Sequence, residues 1–137
     1  MWKFYAILSA VFAALTAILA KLGVKGIDSN LATTIRTFVI LLLTLSIVTF
    51  TGSLKNIGSL TRTNIVFLCL SGLATGISWL FYFKALQTGD VSKVAPIDKL
   101  SVAFAIILSF IILKEKITVQ TIIGGLLIVA GSIVLIL

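Results

Sequence analysis

TGDVSKVAPIDKLSVAFAIILSFIILKEKI, residues Thr88–Ile117, sets a proline and a charged pair at the head of a long apolar run. Gly89-Asp90 reads as a turn and Ser92 as the start of a helix. Pro96 falls in the opening turns, where a missing N–H costs little and a stable helix start is the simplest account. A distortion beside Asp98 is the alternative. Asp98-Lys99 follows, and then an unbroken apolar run from Val102 to Leu113, stopped by Lys114-Glu115-Lys116. Counted from Val102 the apolar part is too short to cross a bilayer, which takes about 20 residues. Counted from Ser92 it reaches about 33 Å at about 1.5 Å per residue, with Asp98 roughly 9 Å along the axis. The spanning helix therefore includes the charged pair. Charged groups at membrane depth face a cavity, a partner or a solute path.

The composition agrees with a membrane setting. Hydrophobic residues make up 60% and charged residues 11% of the chain, with a mean hydropathy of +1.26. Soluble domains carry about a quarter charged residues. The length fits one domain, residues 1–137. The net charge is +7, but the basic residues lie at segment ends and form no patch, so they read as headgroup anchors and not as a nucleic-acid surface. With four acids and no His, no metal site, cofactor site or catalytic group is expected. Cys69 sits alone in an apolar run and reads as a small packing residue.

The expected fold is all-α and integral to the membrane, with five transmembrane helices at about 4–20, 31–50, 65–85, 92–113 and 119–137. Each run is about the length a bilayer needs. Lys3 followed by an apolar run also resembles a signal peptide, but no clear Ala-x-Ala site precedes Lys21, and retention as a helix is expected. Between the first two spans, Gly23 and Gly26 end one helix, and Asp28 to Asn30 supply caps for the next.

With five spans the termini lie on opposite sides. One side holds Lys3, Lys55, Arg62, Lys114 and Lys116. The other holds Lys21, Lys25, Lys93 and Lys84, with Arg36 and Lys99 deeper. Lys/Arg bias normally sets topology, and here it nearly cancels. Either one orientation wins through its stronger clusters or the chain inserts both ways.

Three constellations carry candidate chemistry. Arg36, Asp98 and Lys99, with Trp79 and Tyr82, are the candidate solute-binding residues, and Asp98 is the candidate proton carrier. The competing accounts are snorkelling for Arg36, interfacial anchoring for Lys84, and an ion pair that only fixes packing for Asp98. On a continuous helix Asp98 and Lys99 point about 100° apart, so each is expected to seek its own partner, Arg36 being the natural one for Asp98. An excess of cations over acids favours an anionic or zwitterionic solute. The small residues Gly72, Gly76, Gly124, Gly125 and Gly131 are the candidate packing positions, mostly within one chain, with the fifth span the best candidate for a dimer contact. Trp79, Phe81, Tyr82 and Phe83 form an aromatic belt or the wall of a solute pocket.

AVFAALTAILAKLG at Ala10–Gly23, DSNLATTIRT at Asp28–Thr37, ALQTGDVSKVAPIDKLSVAFAIILSFIILKEKIT at Ala85–Thr118 and QTIIGGLLIVAGSIVLI at Gln120–Ile136 together resemble the EamA-type repeat of the drug/metabolite transporter superfamily. The resemblance covers essentially the whole chain and implies one repeat where many members carry two inverted ones. It implies a small-molecule transporter of the secondary type, multi-pass in the cell membrane, working as a homodimer or with a second half-size subunit. Glu115 matches a family acid but sits in a polar turn, where a turn-stabilising role is expected. The small multidrug exporters carry an embedded acid in their first helix; Phe4 to Ala20 has none, which argues against cation/proton multidrug exchange. The rival expectation is a non-transporting subunit packed against another membrane protein through its glycine faces.

Overall fold

Hydropathy marks the part of a helix that meets lipid tails, but the backbone must keep its hydrogen bonds through the headgroups as well. The first three spanning helices accordingly outrun their apolar stretches. The computed structural model describes all residues, 1–137. It shows α1 (Trp2–Gly23), α2 (Ser29–Phe50), a 3₁₀ segment (Ser53–Ser59), α3 (Arg62–Thr88), α4 (Val91–Asp98), α5 (Leu100–Ile112) and α6 (Val119–Ile136). Five elements are long and apolar enough to span a membrane, with α4 and α5 together forming the fourth. No more than 11% of any span's apolar window is buried within the chain. Most apolar side chains are therefore left for lipid tails or another chain to cover.

The helix ends follow from local chemistry. Asp28 caps α2, its Oδ1 accepting from the amides of Asn30 at 2.9 Å and Leu31 at 3.0 Å. Thr118 caps α6, accepting from the Thr121 amide at 3.2 Å. Gly52 follows α2 at φ 69, the left-handed conformation that ends helices and that glycine adopts without strain. Lys114 holds φ 54 after α5 although it carries a side chain. Replacing it with glycine is expected to raise stability by about 0.5–1 kcal/mol, read as a higher midpoint in denaturant titration of the micelle-bound protein. An unchanged or lower midpoint would show that Lys114 makes a compensating contact.

The helices fall into two compact units, one comprising Met1–Leu19 with Thr88–Leu137 and the other Ala20–Gln87. In the first, α4 and α5 both pack on α6. A Cβ added at Gly125 would lie 3.2 Å from Ile106 Cδ1, so α5 and α6 approach closely at this glycine. In the second unit the buried side chains gather at one end. Ala20 and Val24, Ala32 and Thr33, and Phe83 and Leu86 come from the end of α1 and its following turn, the start of α2 and the end of α3. Two polar ties cross this knot. Lys21 Nζ donates to the Leu86 carbonyl at 2.7 Å, and Gln87 Nε2 donates to the Ile27 carbonyl at 2.6 Å. Each satisfies a backbone oxygen at a turn or a helix end, where no intrahelical partner exists.

Candidate functional site

A guanidinium inside an apolar helix needs a favourable surface, because a bare charge in hydrocarbon is costly. Arg36 lies about two turns into α2, and α3 meets it with rings. Its Cζ sits over the Trp79 ring at 4.3 Å from the centroid and over the Phe83 ring at 5.3 Å. Trp79 and Phe83 are one helical turn apart, so both reach the same side of α3. Of the residues singled out in the sequence as solute-binding, Arg36 and Trp79 are thus brought together in the Ala20–Gln87 unit, with Tyr82 on the same turn of α3 as Phe83. The ring faces stabilise the cation through their quadrupoles, each worth about 0.5–2 kcal/mol according to desolvation.

Beside this cluster a groove of about 400 Å³ is lined by Thr33, Thr34, Thr37, Phe38, Leu41, Gly76 and Leu80. Thr33, Arg36 and Thr37 stand at i, i+3 and i+4 on α2, and Leu80 lies within a turn of both rings on α3. The threonines escaped notice in the sequence because hydroxyls are common in membrane helices. Their spacing from Arg36 is the signal that could have found them. Phe83 was read as part of a belt or a pocket wall and left out of the candidate binding residues, yet it supplies the second ring.

Asp98 and Lys99 belong to the other unit and differ from expectation. The span is not a continuous helix. α4 ends at Asp98, and Lys99 adopts φ −70, ψ −11 between α4 and α5. Its amide is shared between the carbonyls of Ala95 at 3.3 Å and Pro96 at 3.1 Å, while Pro96 has no N–H to give. At this tightened turn Lys99 Nζ comes 3.3 Å from Asp98 Oδ2. The neighbours are partners of each other, where each was expected to seek its own. Both side chains remain partly exposed, Asp98 at 39% and Lys99 at 55%. Lys84 lies exposed in the last turns of α3.

The glycines divide. Gly125 packs against α5, whereas a Cβ at Gly72, Gly76, Gly124 or Gly131 would meet nothing within 4 Å. Packing of the chain against itself therefore accounts for one of these positions and not for the rest. Gly72 and Gly76 instead floor a second groove, of about 560 Å³, with Cys69, Leu73, Ile77 and Leu80 along α3.

The profile of the EamA-like transporter family matches residues 1–137. The chain belongs to this family. It is also 48% identical over 134 residues to a protein of Sinorhizobium sp. described as an uncharacterized transporter in the cobO 3′ region, the match covering 98% of this chain and 95% of that one. No solved structure matches. Family membership and five apolar spans make this EamA-type chain a multi-pass transporter of the cell membrane.

Proposed function

We propose that this EamA-type chain is a half-size secondary transporter of a small anionic or zwitterionic solute, with two copies forming the working unit. The observation that carries the reading is the Arg36 guanidinium, held over Trp79 and Phe83 within a membrane span and beside a mostly apolar groove to which α2 contributes threonines. Arg36, with Trp79 and Tyr82, binds the solute. Asp98, paired with Lys99 and partly exposed at a helix break, carries the coupling proton. Lys99 steadies the carboxylate while it is ionised and is released when it takes up a proton.

The second copy has a place to pack. Small residues let helices approach closely in lipid, and the groove over Gly72 and Gly76 is open along α3. The near balance of basic residues between the two sides supports opposite orientations of the two copies, the arrangement in which one half rocks against the other around a midplane site.

Asp98→Asn tests the coupling role. In proteoliposomes the wild-type chain is expected to accumulate solute when a pH gradient is imposed. Asp98→Asn should lose that stimulation and retain exchange of solute at equal pH. Unchanged pH dependence in the variant would contradict a proton role for Asp98.

A further inference from the structure

Resting on the transporter reading above, we infer that the solute is a monocarboxylate with a hydroxyl donor and an apolar body, held between α2 and α3 with its carboxylate on Arg36. The argument begins with donors and acceptors. The Thr33 hydroxyl donates to the Ser29 carbonyl at 2.8 Å, Thr34 to Asn30 at 2.9 Å and Thr37 to Thr33 at 2.8 Å. A hydroxyl that gives its proton to the backbone keeps its lone pairs. Thr33 is buried, so Thr34 and Thr37 are the acceptors this mostly apolar wall offers. Arg36 offers only donors, in a planar fork that fits a carboxylate. A solute that satisfies both brings an acceptor pair and a neutral O–H.

Charge narrows the class. The acid in this unit is Asp28, and its side chain caps α2 from outside the span. Lys21 directs its Nζ at the Leu86 carbonyl, Lys25, Lys55 and Arg62 lie in the connections or at a helix start, and Lys84 lies exposed in the last turns of α3. A monoanion balances the Arg36 guanidinium. Asp28 is held by amides at the start of α2, so an ammonium on the same solute would find no carboxylate within the span, and a phosphomonoester would bring about −1.5 to −2 charge to a guanidinium that carries one. Phe38, Leu41 and Leu80 complete the lining and favour an aliphatic or aromatic body over a sugar. The volume of about 400 Å³ is within the usual range for small-molecule sites.

The test reads binding directly and needs no flux. The chain has tryptophans at 2 and 79, so Trp2→Phe leaves Trp79, which touches Arg36, as the sole indole reporter. In nanodiscs this protein is titrated with leucic acid, leucine, isocaproic acid and isoamyl phosphate, which present different head groups on branched aliphatic bodies. Leucic acid is expected to change Trp79 emission saturably and to bind about tenfold tighter than leucine or the phosphate. Arg36→Gln in the same background should weaken it by about tenfold or more. Thr37→Val should erase its advantage over isocaproic acid without weakening isocaproic acid itself. Equal or tighter binding of leucine, indifference to Arg36→Gln, or a silent Trp79 with all four compounds would each overturn the inference. A chain that binds leucic acid as expected but moves no solute would keep this inference and refute the transporter reading. A chain that transports other solutes while Trp79 stays silent would do the reverse.

Discussion

Arg36→Gln is expected to lower the initial rate of solute uptake at subsaturating concentration by about a hundredfold, with the protein still monodisperse and inserted. The magnitude follows from what the guanidinium does. Held by Trp79 and Phe83, it is positioned before the solute arrives, so its charge-assisted hydrogen bonds form without ordering a long side chain. Glutamine keeps part of the length and polarity but neither the charge nor the fork. Arg36→Lys separates two accounts of the residue. If Arg36 only snorkels to the headgroups, lysine snorkels as well and uptake should match the wild type. If Arg36 anchors a solute from a ring surface, lysine supplies a point charge without the planar fork and an intermediate loss of about tenfold is expected. Wild-type rates in both variants would remove Arg36 from the transport path.

Leu86→Ala is expected to destabilise the Ala20–Gln87 unit by about 2–5 kcal/mol, the largest effect on stability foreseen for a single side chain. Leu86 is fully buried and Val24 is 1% exposed, in a knot where neighbouring atoms have little freedom to fill a void. Lipid does not weaken this argument, because the loss is of packing contacts and a cavity remains in either solvent. The knot also holds the Lys21 and Gln87 ties across the helix ends, and its loosening would release the end of α3 that carries Phe83. Leu43→Ala is the control. Leu43 is 60% exposed and its truncation exchanges protein surface for lipid, so a change within about 0.5 kcal/mol is expected. Denaturant titration in mixed micelles, followed by helicity, reads both. Equal effects at the two positions would show that the knot is not the unit's core.

Five spans were legible in the sequence because crossing a bilayer imposes a length and a polarity on each segment, and both can be read locally. The Asp28 cap was legible for the same reason, since it acts on amides two and three residues away. Asp98 and Lys99 were placed correctly in the span but given separate partners. That expectation presumes an unbroken helix, and the turn at Lys99 depends on how the amide ladder is shared around Pro96. Arg36 and Trp79 were both singled out as functional candidates, yet their contact was not foreseeable. It joins α2 to α3 across an intervening connection, and hydropathy carries no information about which face of one helix meets which face of the next. The glycines were ambiguous on the same ground. Spacing showed Gly72 and Gly76 to be suited to close packing, and only the structure shows their face open while that of Gly125 is occupied.

The central claim is that two copies of this one EamA-type chain make a complete transporter. Its most direct test is to reconstitute the purified chain alone into vesicles over a range of protein-to-lipid ratios and to count the fraction of vesicles that transport. Poisson analysis of that fraction gives the number of chains in the functional unit. The expected result is active vesicles with a functional unit of two chains. A functional unit of one chain, or binding of solute with no active vesicles at any density, would contradict the claim.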